Sequence, residues 1–222
     1  LYLPVFLFFL NFAILAYFPA LGFPLTEPRN YFFANLLYMA VNFAVMLLIF
    51  RRTLWQSLRE FEGKMLLSVL IGFGMCYGAN LVLTTAYTVL DIMPENYNQE
   101  AVNSLLGGYP LAMTLCTVVL APLAEECLFR GVLFAPLARR CLPAAYALSM
   151  FLFAGMHVFQ FLGSMTAANT ILCLSLYLPA SFSLCWVYQK TGNIWAGIFL
   201  HMFINFQSVL ASLLRSLMQA FL

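Results

Sequence analysis

Seven stretches of this chain are each long and apolar enough to cross a bilayer: roughly Tyr2–Leu21, Tyr31–Phe50, Met65–Leu90, Tyr109–Phe134, Leu142–Gly163, Thr166–Tyr188 and Ile194–Leu214. A hydrocarbon core of about 30 Å takes about 20 residues of helix to span. The runs are continuous rather than alternating, which argues against barrel strands. A span in lipid must also satisfy its own backbone polar groups, which a helix does. The expected fold is therefore all-α, a polytopic bundle of about seven transmembrane helices. With 64% hydrophobic and only 8% charged residues, and short connections, the 222-residue chain leaves no room for a soluble domain. Residues 1–222 read as one membrane domain, with spans one to three in 1–108 and spans four to seven in 109–214.

The charges that remain are sorted. Arg51, Arg52, Arg59, Lys64, Arg139, Arg140 and Lys190 fall at one set of span ends, against Arg29 and Arg215 at the other. By the positive-inside rule the basic connections 51–64, 135–141 and 189–193 are expected in the cytoplasm. The connection Asp91–Gly108 carries Asp91, Glu95 and Glu100 and no basic residue, as an external loop would. Segment 51–64 places Leu54, Leu58 and Phe61 at helical spacing among charges, which fits either an interfacial helix or a plain helical linker. A net charge of +2 without any block of like charge excludes nucleic acid as a partner; the lipid bilayer is the partner that composition demands. Six cysteines stand singly in apolar segments without metal-ligand spacing, as small core residues rather than a disulfide framework. The first apolar run lacks a basic leader, so no cleavable signal peptide is expected.

Against this background, three side chains are out of place. Glu125, Glu126 and Arg130 are the only charges deep within any span, and both histidines of the chain, His157 and His201, also lie in spans. An unpaired charge there costs on the order of 3 kcal/mol on insertion scales, so pairing or a wet pocket is required. At about 100° per residue, Glu126 and Arg130 share a face one turn apart, while Glu125 points away from Arg130. The expectation is a supporting ion pair, Glu126 with Arg130, and a free carboxylate, Glu125. Phe153 lies one turn before His157, and Asn205 one turn after His201. A buried glutamate assisted by a histidine can act as general base on a water, and a histidine with an amide can stabilise an oxyanion. These are the parts of an amide hydrolase without a Ser or Cys nucleophile.

The ordered set Glu125-Glu126-x-x-x-Arg130, Phe153-x-x-x-His157 and His201-x-x-x-Asn205 resembles the motifs of the CPBP family, the CAAX proteases and bacteriocin-processing enzymes also called Abi. The resemblance covers residues 125–205. It implies an intramembrane peptidase acting on a peptide or protein substrate at the membrane, multi-pass in a bacterial cell membrane, with no metal or cofactor. In that frame Glu125 is the general base, His157 orients or activates the water, and His201 with Asn205 forms the oxyanion hole. Glu126, Arg130 and Phe153 support them. Some relatives remove the last three residues of prenylated C-a-a-X proteins; nothing in this sequence marks a prenyl groove.

Three rival readings use the same residues. Two histidines and a glutamate can hold a catalytic zinc, but H-E-x-x-H is missing and Asn205 is a poor zinc ligand. A non-proteolytic immunity scaffold would not need every motif residue intact. A proton-coupled transporter would spread its carboxylates over several helices and show an inverted repeat, and neither is seen. Counting from the expected cytoplasmic ends, His157 comes out about six residues deeper than Glu125 and His201. A late start to span five, or an interfacial turn in APLARRCLPAA, would absorb the difference.

Overall fold

The computed structural model describes residue 10 and residues 13–220. Most of the first expected span, Tyr2–Leu21, lies outside them, although 13–20 is helical. Seven further helices follow: α1 (Pro28–Arg59), α2 (Met65–Val89), α3 (Tyr97–Gly108), α4 (Pro110–Ala138), α5 (Leu142–Val158), α6 (Ala167–Thr191) and α7 (Ile194–Ala220). All but α3 are long and apolar enough to span a membrane, six spans among the described residues. Two of the elements differ from the sequence expectation.

Segment 51–64 is not a separate interfacial helix. RRTLWQSLR contains no glycine or proline, so α1 continues to Arg59 and buries Leu54 and Ser57 against its neighbours. Leu58 and Trp55 stay exposed. The connection 91–108 is likewise more than a loop. Asn96 caps α3 by accepting from Gln99 N at 3.1 Å, and Leu105 and Leu106 sink into a core with Phe32, Met113 and Val209. The apolar face of α3 is short, and Glu100 within it and the acidic residues Asp91 and Glu95 before it obscured it.

Helix boundaries follow local chemistry. Prolines open α1, α4 and α5, where the missing N–H costs nothing. Gly192 closes α6 at φ +65°, the left-handed conformation that favours glycine. α4 is irregular inside: π-helical turns at Cys116–Leu120 and Cys127–Phe134 bracket the α-helical Ala121–Glu126. Such wide turns are rare and concentrate at functional sites.

The bundle is built around α4. On one side Leu123, Ala124 and Cys127 meet Met46 and Leu54 of α1 and Ile194 and Ile198 of α7. On the other, Phe129 joins Val69, Phe153, Leu184, Val187, Ala196 and Leu200. α2 closes on α6 and α7 at Gly72, where a Cβ would lie 2.5 Å from Val187 and 2.9 Å from Leu200. Large apolar side chains such as Leu48, Leu67, Val82 and Leu111 cover the outside, a face made for lipid.

Each end of the bundle is tied. At the basic end, Asn193 Nδ2 donates to Ser57 O (2.7 Å), Ile194 N to Ser57 Oγ (3.1 Å) and Trp195 Nε1 to Leu54 O (2.8 Å). These bonds set the height of α7 against α1. At the opposite end, Glu95 N donates to Asn169 Oδ1 (2.9 Å) and Asn169 Nδ2 returns to Glu95 O (3.0 Å). Five of the six cysteines are buried, Cys141 is exposed, and all are unpaired, as their spacing suggested.

Candidate active site

The sequence motifs converge on one site between α4, α5 and α7. Arg130 Nη1 donates to Glu126 Oε1 at 3.0 Å, and both side chains are wholly buried. Burying two charges is costly, and the pair survives because more groups close around it. Arg130 Nη2 donates to Ser181 O (3.2 Å), and its guanidinium lies 5.1 Å from the Phe153 ring and 5.9 Å from Phe129. His201 Nδ1 donates to the same Glu126 Oε1 at 2.8 Å. A carboxylate only accepts there, so Nδ1 carries the proton. The imidazole is thereby turned so that Nε2 faces Glu125, 3.8 Å from Oε2.

Glu125 and Glu126 differ in access. Oε2 of each carboxyl is buried without a hydrogen-bond partner among the described residues. Glu126, however, is sealed: a Cβ on Gly197 would stand 3.0 Å from its Oε2. Gly197 lies one turn before His201, and its missing side chain is the notch that admits the carboxylate to α7. The Glu125 side chain keeps 19% of its surface open. Of the two, it is the carboxyl a water can reach.

His157 Nδ1 lies 2.8 Å from Phe153 O, a carbonyl that only accepts, so the ring donates there and Nε2 is left facing away from its own helix backbone. The Phe153 ring stands 4.8 Å from His157 and 5.5 Å from His201, and so links the two imidazoles. Neither adjustment to span five applies: α5 starts at Leu142, where expected. Instead α4 runs on through Ala138, past the expected Phe134, so that in residues counted from the helix ends Glu125 comes nearer to His157.

Asn205 is occupied in a way that spacing did not predict. Its Nδ2 donates to Thr117 O at 2.8 Å. In the π register of Cys116–Leu120, Ala121 N bonds Cys116 O, so Thr117 O would be served by residue 122. That residue is Pro122, which has no N–H. Asn205 fills the gap with one amide hydrogen and retains a second, on the face it shares with His201.

Comparison with known proteins bears on this geometry. Residues 107–207 match the Rce1-like family, described as type II CAAX prenyl endopeptidase Rce1-like. Over 186 residues the chain is 27% identical to "Putative membrane peptidase YdiL" of Bacillus subtilis, covering 80% of this chain and 72% of that protein. No solved structure matches. The matched region runs from α4 to about the middle of α7, and takes in every motif residue. The protein is accordingly a multi-pass membrane peptidase. Sequence reasoning about this site missed Gly197, Pro122 and the Ser181 carbonyl. The first two carried a signal, a glycine one turn before a span histidine and a proline within a span. A backbone carbonyl carries none.

Proposed function

We propose that the chain is an intramembrane endopeptidase that hydrolyses a peptide bond with glutamate and water and without a metal. The observation that carries this is the contrast between the paired glutamates: Glu126 is locked by Arg130 and His201, while Glu125 is half-buried, makes no hydrogen bond among the described residues and is open to water. In this reading Glu125 takes a proton from a water whose oxygen bonds to the scissile carbonyl carbon. His157, through Nε2, orients that water. The carbonyl oxygen becomes an oxyanion facing His201 Nε2 and the second hydrogen of Asn205 Nδ2. In this reading His201 donates from Nε2 while Nδ1 donates to Glu126, which takes both ring protons. The tetrahedral intermediate collapses with cleavage of the C–N bond, and Glu125 returns its proton to the leaving amine. A new carboxylate and a new amine result.

The substrate is a peptide or protein presented at the membrane. The description of the matched family extends this to prenylated C-a-a-X chains as one class. The basic ends, with Arg51, Arg52, Arg59, Lys64, Arg139, Arg140 and Lys190, face the cytoplasm.

The test is a substrate-blind one. New peptide termini are compared by mass spectrometry in membranes from cells expressing the wild type or Glu125→Gln at equal levels. Termini that depend on the wild type and vanish with Glu125→Gln are expected; persistence in the variant rules out Glu125 as base. With the bond so identified, cleavage by the purified protein should be unaffected by a strong chelator, whereas the zinc reading requires its loss.

A further inference from the structure

His157 is held by more than its own helix. The ring of Tyr177, on α6, stacks on the imidazole at 4.5 Å with 23° between planes. The tyrosine hydroxyl is itself fixed twice: it donates to Asn96 Oδ1 (3.0 Å) and accepts from Asn98 Nδ2 (3.2 Å). Asn96 Oδ1 is the oxygen that also caps α3. The adjoining Glu95 is clamped to α6 by the Asn169 pair and by Cys173 Sγ, which donates to Glu95 O at 3.2 Å. From the other side α3 is tied to α7, where Ser208 Oγ donates to Gln99 Oε1 at 3.3 Å. A continuous set of contacts therefore runs from the acidic connection, through a phenol, to an imidazole of the site.

This arrangement does something the hydrogen bond to Phe153 O cannot do alone. One bond to a flexible-sided ring leaves the imidazole free to rock about it, whereas a stacked face restricts that rotation. The phenol can restrict it only if it is itself immobile, and a hydroxyl with both its hydrogen and a lone pair engaged is immobile. We infer that Tyr177 is a positioning residue for His157, with Asn96 and Asn98 fixing the tyrosine, so that the start of α3 belongs to the working apparatus of the site. The inference rests on the reading that His157 orients the water, but its test does not.

The chain has only two histidines, so 15N-histidine labelling of the full protein in lipid nanodiscs gives two imidazole signal sets, assigned with His201→Gln. In the wild type, His157 should show two well-separated ring nitrogens, one protonated and bonded, the other not. Tyr177→Leu removes the stack, and the fixed orientation should lose roughly two- to tenfold in population, as expected of one aromatic pair, with the two nitrogen signals moving towards their average. Tyr177→Phe keeps the stack and frees the ring from both asparagines, and should give an intermediate shift; it also covers the case in which the leucine variant does not fold. His201 signals should stay in place in both. Unchanged His157 signals in Tyr177→Phe, and in any folded Tyr177→Leu protein, overturn the inference. Full cleavage by His157→Ala would instead overturn the role given to His157 and leave the positioning result standing.

Discussion

The adjacent glutamates show how one residue's environment decides its use. Glu126 is enclosed by Arg130, His201 and the Gly197 notch, whereas Glu125, one position earlier on the same helix, meets only His201 Nε2, at 3.8 Å and without a hydrogen bond. Their neutral variants should therefore separate. Glu126→Gln leaves Arg130 charged and buried, and should destabilise the fold by about 3–5 kcal/mol. Glu125→Gln breaks no hydrogen bond and should stay within roughly 0.5 kcal/mol of the wild type while abolishing cleavage. Scanning fluorescence in nanodiscs reads the first quantity, and product formation the second. Equal loss of stability in both would mean that Glu125 is as structurally paired as Glu126. The charge pattern was legible from i,i+4 geometry alone, because a helical face is a local property.

At the scale of the helix, α4 and α7 fit each other through features that break regularity. The π turn at Cys116–Leu120 together with Pro122 leaves Thr117 O without a backbone donor, and Asn205 supplies one. Asn205→Ala should cost about 1–3 kcal/mol by orphaning that carbonyl. Pro122→Ala restores an N–H at the right position, so the double variant should recover about 1 kcal/mol relative to the sum of the single changes. Additive losses would show that the two residues do not share the carbonyl. Gly197→Ala offers a second check by thermal unfolding. Inside a helix that exchange normally gains about 1 kcal/mol. Here the new Cβ meets Glu126 Oε2 at 3.0 Å, and both melting temperature and cleavage should fall. Neither the π turns nor the notch could be placed from periodicity, because a π turn leaves apolar spacing nearly unchanged and the cost of a side chain depends on what faces it.

Across the whole molecule, the sorted charges and the tied ends give the bundle a direction. Cys141 sits beside Arg139 and Arg140 as the exposed thiol of six, which makes it a natural reporter. A membrane-impermeant maleimide should label it in inverted vesicles and not in intact cells; labelling from outside would reverse the orientation. What the sequence by itself determined is what depends on short range: the six described spans, the pairing of Glu126 with Arg130, and the sharing of faces by Phe153 with His157 and His201 with Asn205. The tertiary structure alone decided the heights at which those faces meet. Ser57 and Asn193 set α7 against α1, and α3 brings Asn96 and Asn98 to Tyr177. The physical reason is that helical periodicity fixes angle around an axis but not position along it, and axial position is set by contacts between helices far apart in the chain.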